Sequence, residues 1–275
     1  MSHGKIYSNE VIQTEDDQFD DDPDMPRTQA KMGKKAPNFK ANTTEGMIDL
    51  YEWLGDSWGV LFSHPAPFTP ICTTEMGSIA KHYEAFKKRN VKLLGISCED
   101  VNLLHDWAGD IKAYYGLEHF PVTLLADESR AVAYLYGLIE PTYRDNFSGI
   151  PYPCRGLFII DPKKIIRMMS FHPWSIGRCT KEIIRSVDSL QLTDSFDNKV
   201  CTPADWEMGK SAMVDTSVTP NDINTMFQSG VITWFLPSGK PYMRTIGDPK
   251  KPEPRVGEAA TNLNLIKLAY GSDSD

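Results

Sequence analysis

The feature that most constrains the fold is an alternation between short apolar runs and longer segments of helical period. Apolar residues recur at spacings of three and four after Cys72, over 101–115 and over 180–192, which indicates amphipathic helices. Between these segments, short runs bounded by turn residues read as buried strands. The runs are WGVLFS (58–63), VKLLGIS (91–97), PVTLLA (121–126), GLFIID (156–161) and IIRMMSF (165–171). Strands that alternate with helices predict an α/β fold.

Composition divides the chain into four segments. Residues 1–30 carry seven acids within 15–24 and too little apolar surface to offset the entropy of ordering, so we expect an acidic, disordered tail. Residues 31–195 hold the strand–helix alternation and form the predicted main domain. The turn-rich residues 196–247 predict a small C-terminal α+β domain, and 248–275 read as a linker with a terminal arm.

Composition also restricts the partners and the compartment. No apolar run approaches the roughly 18 residues of a membrane span, and the polar, acidic N-terminus is unlike a secretory signal, so we expect no membrane partner. The net charge of −8 argues against nucleic acid. The five scattered cysteines form no CxxC and predict a reducing, cytoplasmic location. They are Cys72, Cys98, Cys154, Cys179 and Cys201.

Cys72 lies where a predicted strand gives way to a predicted helix. The helix is expected to begin at about Thr73, so the thiol lies in its first turn, where unpaired N–H groups and the helix dipole favour the thiolate. The prolines of HPAPFTPICTTEM (64–76) fix the backbone and hold this loop, which we call the collar, open to a small substrate. Thr69 offers a hydroxyl beside the sulfur. The alternative is a buried, unreactive cysteine at an ordinary helix start.

The collar carries a family signature. PAPFTPIC (65–72) matches the PxxxTxxC signature of the peroxiredoxins, and GDSWGVLFSHPAPFTPICTTEMG closely resembles their one-cysteine, peroxiredoxin-six subfamily. The resemblance covers about residues 31–247 and continues through APNFKANTTEG, RNVKLLGIS, SLQLT, TPADWEMG and LPSGKPYMR. It implies a thioredoxin-like fold with a small C-terminal domain and a thiol-dependent peroxidase activity.

The resemblance assigns roles to five residues. Cys72 corresponds to the peroxidatic cysteine, Thr69 to the threonine that binds the peroxide, and Pro65 to the proline that shields the sulfur. His64 matches the histidine before that proline, and Arg155 matches an arginine at the start of a late strand. A buried guanidinium opposite a helix N-terminus would stabilise both the thiolate and charge on the peroxide oxygens. The implied reaction converts a hydroperoxide and the thiolate into water or alcohol and a sulfenic acid, with no cofactor or metal.

The sulfenic acid could be reduced back to the thiol in more than one way. We favour a one-cysteine cycle with an external thiol such as thioredoxin or glutathione, because the chain continues past Cys201 into a C-terminal domain, as that subfamily does. KVCTPADW (199–206) comes close to a resolving motif, so a two-cysteine cycle through Cys201 stays open. An oligomeric holdase role is a further alternative. The resemblance implies a homodimer, with larger oligomers also open.

A second motif points to a different chemistry. GDSWG (55–59) fits GxSxG, and mammalian members of the subfamily are associated with a phospholipase A2 activity that uses the equivalent serine. A nucleophile elbow follows a strand, whereas Ser57 precedes one. Tyr51 and Lys163 stand where those members carry histidine and aspartate. We therefore interpret the motif as a turn and expect no phospholipase activity.

Overall fold

The structure is a computed structural model that describes residues 29–144, 149, 151–227 and 230–249. The predicted tail over 1–30 and arm over 248–275 therefore lie almost entirely outside the described residues. Two compact units divide the chain: one runs up to Thr73 and from Leu93 to Ile176, and the other comprises Thr74–Lys92 and the chain from Gly177 onward. The domain boundary at residue 196 stays a prediction.

The strands and helices follow one another along the chain in a mixed α/β order, which confirms the predicted class. The strands are β1 (Lys40–Thr43), β2 (Gly46–Asp49), β3 (Trp58–Ser63), β4 (Val91–Ser97), β5 (Thr123–Ala126), β6 (Ile139–Arg144), β7 (Pro151–Pro153), β8 (Arg155–Ile160), β9 (Ile166–His172), β10 (Val200–Cys201), β11 (Ala212–Val214), β12 (Ile232–Thr233) and β13 (Arg244–Ile246). The helices are α1 (Leu50–Leu54), α2 (Pro70–Lys81), α3 (Tyr83–Lys87), α4 (Val101–Tyr115), α5 (Ala131–Leu135), α6 (Thr180–Ser195) and α7 (Pro220–Met226).

A seven-stranded sheet forms the first unit, in the order β2-β1-β5-β4-β3-β8-β9. The pair β4 and β5 is parallel, whereas β3 with β8 and β8 with β9 are antiparallel. Every residue of β3 and β8 is buried, as expected for continuous apolar runs at the centre of a covered sheet. All five predicted strands are present. β3 and β4 have the predicted bounds, and β5 begins two residues late, at Thr123.

The predicted helix after Cys72 differs from the observed one at both ends. It begins at Pro70, three residues earlier than expected, because a proline at the first helical position loses no hydrogen bond. It ends at Lys81, and a separate helix α3 starts at Tyr83. At the break, Nδ1 of His82 lies 2.8 Å from the Ser78 carbonyl oxygen, which also accepts the His82 N–H at 3.2 Å. The His82 ring and the His82 backbone N–H therefore share one acceptor, the Ser78 carbonyl oxygen, at the point where α2 ends.

The other predicted helices match α4 and α6. Asp100 caps α4 through the N–H groups of Asn102 and Leu103, and Gly116 ends it in the left-handed conformation at φ 63°. α4 buries three apolar residues, and α6 buries six residues along its length. Among the described residues, no helix has both the length and the apolar character to cross a membrane.

The C-terminal part of the second unit contains a four-stranded antiparallel sheet in the order β10-β11-β13-β12, together with α7. Its core is formed by a cluster of eight buried residues, the largest of which is Trp206, at 2% exposure. They are Leu192, Val200, Trp206, Ala212, Val214, Val218, Phe227 and Ile246. Because Leu192 belongs to α6, this small sheet is packed on the end of that helix.

Candidate active site

The antiparallel pairing of β3 with β8 brings the collar to Arg155. Phe62 lies opposite Leu157, so the chain leaves β3 at His64 where β8 begins. Ser63 fastens this junction: its hydroxyl donates to the Cys154 carbonyl at 2.6 Å and accepts from the Gly156 N–H at 2.9 Å. Both bonds flank Arg155, so its backbone is held on either side.

Gly156 lets β8 lie close to the side chains of Ser63 and Leu138. A Cβ at this position would lie 2.2 Å from Cδ2 of Leu138 and 3.3 Å from Oγ of Ser63. Any side chain would therefore push β8 away from the collar or displace Leu138 from the core. A side chain next to Arg155 would thus force Leu138 to move, which the sequence pattern does not indicate.

Cys72 and Arg155 meet in the interior of the first unit. The thiol is the third residue of α2, where backbone N–H groups lack helical partners, and it is 1% exposed. Arg155 is 2% exposed, and its Nη1 donates to Sγ of Cys72 at 3.4 Å. Its Nε and Nη2 both donate to the Trp174 carbonyl, at 3.0 and 2.7 Å. This fork aims the guanidinium at the sulfur.

Thr69 lies three residues before Cys72, directly before α2 begins. Its hydroxyl donates to the Ala66 carbonyl at 2.9 Å, and its own carbonyl accepts the Thr73 N–H at 2.9 Å. Because the hydroxyl hydrogen is engaged, the oxygen is left to accept a hydrogen bond from a substrate O–H. Pro65 is buried and Thr69 is half-buried.

Phe68 is an unexpected feature of the collar. Its φ of 54° lies in the left-handed region, and its side chain is 49% exposed. For a bulky residue this backbone conformation costs on the order of 1–3 kcal/mol. The strained turn reverses the chain directly before Thr69, and no pattern in the sequence predicts it.

Trp107 contacts the collar at two places. Its ring centroid lies 4.8 Å from that of His64, which is 1% exposed, and its Nε1 donates to Oγ1 of Thr73 at 3.0 Å. It therefore contacts the residue before Pro65 and the residue after Cys72. The helical spacing places Trp107 on the apolar face of α4, but the contact with Thr73 spans 34 residues and has no sequence signal.

The remaining cysteines lie in different surroundings. Cys98 is 6% exposed, and its burial, followed by the neighbouring Asp127, raises the pKa of its thiol to about 12. Burial and Asp215 also raise the pKa of Cys201. Cys154 packs against the main core, and Cys179 is exposed at the start of α6. Cys98 and Cys201 thus face carboxylates, which disfavour a thiolate.

Ser57 lies in a turn between α1 and β3. Gly55 ends α1 with φ 53°, and the strand begins at Trp58. The hydroxyl of Tyr51 donates to the Ala36 carbonyl at 2.6 Å. A serine that precedes a strand lacks the strand-to-helix setting of a nucleophile elbow. The absence of phospholipase activity stays a prediction.

Comparison with known proteins identifies the family. The model of the AhpC/TSA family matches residues 32–169. Peroxiredoxin-6 of Rattus norvegicus is 45% identical over 221 residues, which cover 79% of this chain and 97% of that protein. A cysteine-to-serine mutant of peroxiredoxin 6 of Arenicola marina has a TM-score of 0.77 at 41% identity, covering 81% of this chain and 100% of that one.

A second solved structure bears on the catalytic cycle. The yeast mitochondrial 1-Cys peroxiredoxin, described with a thiol resolving mechanism via glutathione/thioredoxin systems, has a TM-score of 0.70 at 40% identity, covering 80% of this chain and all of that one. These likenesses confirm the thioredoxin-like fold and the peroxidase activity. The chain therefore belongs to the AhpC/TSA family, as a thiol-dependent peroxidase of the one-cysteine, peroxiredoxin-6 type.

Proposed function

We propose that Cys72 is the peroxidatic thiol of this peroxidase and that Arg155 and Thr69 bind the peroxide. The observation that carries the proposal is the 3.4 Å hydrogen bond from Nη1 of Arg155 to Sγ of Cys72, with both residues almost fully buried. Burial alone would disfavour a thiolate. A guanidinium in direct contact offsets that penalty, because a charge-assisted bond strengthens when water is excluded.

The reaction is a displacement on oxygen. The thiolate of Cys72 attacks the terminal oxygen of the hydroperoxide, an S–O bond forms, and the O–O bond breaks. The leaving oxygen takes the electron pair and a proton to become water or an alcohol, and the sulfur becomes a sulfenic acid. Thr69 accepts a hydrogen bond from the peroxide O–H, and Arg155 stabilises the charge that develops on both oxygens.

Pro65 and His64 hold the collar around this centre. Pro65 has no N–H and is buried, so it adds no donor that would compete for the sulfur and keeps bulk water away from it. The His64 ring packs on Trp107, and the backbone N–H of His64 donates to the Ile96 carbonyl at 3.4 Å. We assign His64 and Trp107 positioning roles, since both act by fixing the collar.

An external thiol reduces the sulfenic acid in this proposal. A first thiol attacks the sulfur of Cys72, releases water and forms a mixed disulfide, and a second thiol frees the enzyme. We propose thioredoxin or glutathione as the source, by analogy with the yeast relative. The raised pKa of Cys201 supports this choice, because it keeps the thiol protonated and weakly nucleophilic near neutral pH.

We further propose a cytoplasmic homodimer. β9 is the edge strand of the large sheet, and three large apolar residues at or just after its end are 44–54% exposed. These are Phe171, Trp174 and Ile176. An open strand edge with apolar neighbours is suited to a second copy of the chain. All five cysteines are unpaired, which suits a reducing compartment.

The test compares peroxide turnover by Cys72→Ser, Cys98→Ser and Cys201→Ser, each with thioredoxin, glutathione and ascorbate supplied separately. We expect Cys72→Ser to lose about 10³-fold or more, because the nucleophile itself is removed, and the other two variants to keep the unmodified rate. Substantial activity in Cys72→Ser would exclude the proposed role. A loss in Cys201→Ser, accompanied by a Cys72–Cys201 disulfide on non-reducing gels of the unmodified protein, would establish a two-cysteine cycle instead.

A further inference from the structure

Four exposed lysines lie on two adjoining segments of the first unit. Lys31, Lys34 and Lys35 precede β1, and Lys163 lies in the turn between β8 and β9. Backbone hydrogen bonds join the two segments: the Ala36 N–H donates to the Lys164 carbonyl at 2.7 Å, and the Ile166 N–H donates to the Lys34 carbonyl at 2.9 Å. An antiparallel bridge also pairs Lys35 with Ile165. We call Lys31, Lys34, Lys35 and Lys163 the lysine cluster.

The positive charge of the lysine cluster is not balanced within the described residues. No described carboxylate lies within ion-pair distance of any of its four ammonium groups. The nearby Asp161 is committed elsewhere, since it contacts Nη1 of Arg167 at 3.3 Å and accepts the Ile165 N–H at 2.9 Å. Four positive charges on adjoining segments, with no described carboxylate paired to them, favour an anionic occupant. On a chain of net charge −8 it is a local exception.

The same chain carries an acidic segment a few residues before the cluster. The segment EDDQFDDDPD (15–24) carries seven carboxylates. The chain is anchored just before the cluster, because Ala30 is 4% exposed in the main core and the Gln29 N–H donates to the Leu135 carbonyl at 3.0 Å. Six residues lie between Asp24 and Lys31, so their Cα atoms are at most about 25 Å apart in an extended chain.

We propose that the acidic segment 15–24 binds the lysine cluster of its own chain. The short tether gives the segment an effective concentration on the order of millimolar at the cluster, so modest pairwise attractions are enough for binding. Met32, which is 68% exposed, offers an apolar contact to Phe19, the aromatic residue within the acidic segment. Bound in this way, the segment covers a cationic surface that would otherwise attract phosphate-rich polyanions or anionic lipid.

Zero-length cross-linking with a water-soluble carbodiimide tests the contact in the full chain. This reagent joins carboxylates to amines that touch, and peptide mass spectrometry locates the bonds. The decisive amine is Lys163, because Lys31, Lys34 and Lys35 lie near the acids in sequence. At low salt we expect cross-links between 15–24 and Lys163. At about 1 M salt their yield should fall roughly fivefold or more, because the screening length shrinks to about 3 Å.

A charge-neutralising variant separates binding from mere proximity. In K31Q/K34Q/K35Q the tether and Lys163 are unchanged, yet we expect the Lys163 cross-links to fall roughly fivefold or more, since most of the attracting charge is gone. The matched control K87Q/K88Q/K112Q removes three exposed lysines from other surfaces and should leave the yield as it was. Unaltered peroxidase activity shows that both variants are folded.

Four results would overturn the proposal. One is the absence of cross-links between 15–24 and Lys163, and another is an unchanged yield in K31Q/K34Q/K35Q. The third concerns the occupant: in a mixture of ¹⁴N- and ¹⁵N-labelled protein, cross-links that join light to heavy peptides would assign the acidic segment to a second copy. Binding of the unmodified protein to vesicles that contain phosphatidylserine, with loss of the Lys163 cross-links, would assign the cluster to a lipid surface.

Discussion

Cys72 and Cys98 occupy similar places in the fold but face opposite charges. Cys72 lies in the first turn of α2, the helix that follows β3, and Cys98 directly follows β4. Both are almost fully buried, at 1% and 6% exposure. Cys72 accepts a hydrogen bond from the guanidinium of Arg155. Cys98 is next to Asp127 and Glu99, whose carboxylates oppose the thiolate, and Arg130 only partly offsets them. Burial opposes the thiolate at both positions, so the two sites differ in the charge of their neighbours: a guanidinium beside Cys72 and carboxylates beside Cys98.

The largest expected contrast concerns alkylation of Cys98. Its pKa is raised from the ordinary 9.0 to about 12, first by burial and then by Asp127, so the thiol stays protonated until the pH approaches 12. At pH 9 its thiolate fraction is lower than that of an ordinary thiol by a factor on the order of 10³. We expect iodoacetamide to modify Cys98 about that much more slowly in folded than in unfolded protein.

Peptide mass spectrometry after timed iodoacetamide pulses measures this rate. Between pH 8 and 11 it should rise about tenfold per pH unit, because each unit multiplies the small thiolate fraction by ten. The exposed Cys179 reports in the same sample that the reagent is active. Modification of Cys98 as fast as Cys179 at pH 8 would break the comparison.

Removal of the cation from the Cys72 region should have the next largest effect. In Arg155→Met we expect the second-order rate with hydrogen peroxide to fall by about 10²–10³, the usual cost of losing a preorganised donor at a developing charge. The rate of Arg155→Lys should lie between those of Arg155→Met and the unmodified protein. Its ammonium cannot donate two hydrogen bonds to the Trp174 carbonyl while it also reaches the sulfur. Stopped-flow measurement of peroxide consumption gives the rates.

Arg167→Met is the matched control for this prediction. Arg167 is also a largely buried arginine of the first unit, but it pairs with Asp161 at 3.3 Å. Its loss should cost stability without slowing the peroxide reaction of the folded fraction. Equal rates for Arg155→Met and the unmodified protein would show that the guanidinium does not distinguish Cys72 from Cys98.

A smaller effect is expected when the collar loses its anchor. Trp107→Phe keeps an aromatic ring against His64 but loses the Nε1 donor to Thr73. The net value of such a bond is about 1 kcal/mol, so we expect the peroxide rate to fall roughly fivefold. Thr73→Val removes the same bond from the other side, and the double variant should be no slower than either single one. Multiplied effects would mean that the two residues act separately.

The parts of the fold that were predicted from the sequence are those with a local signal. β3 and β4 are continuous buried runs, and the spacing of Leu104, Trp107 and Ile111 indicates α4. β1 and β2 were missed, because they are four residues each and mostly exposed, so they show no buried run. The short helices α1 and α5, of five residues each, contain too few turns for a helical period to show.

The site divides in the same way between local and distant features. Cys72, Thr69 and Pro65 belong to one family signature, and Arg155 is assigned through the same family resemblance. The groups that orient them do not stand out. The acceptor for Arg155 is the backbone carbonyl of Trp174, a group that every residue carries, and Phe68 reverses the collar in a conformation that its side chain disfavours.

Labelling of the sulfenic acid tests the central claim most directly. The full-length protein is treated with one equivalent of hydrogen peroxide in the presence of dimedone, which reacts with sulfenic acids, and the labelled peptides are identified by mass spectrometry. The geometry predicts label on Cys72, because its thiol faces the Arg155 guanidinium, and none on the equally buried Cys98. Label on Cys98 with an unlabelled Cys72 would contradict the account.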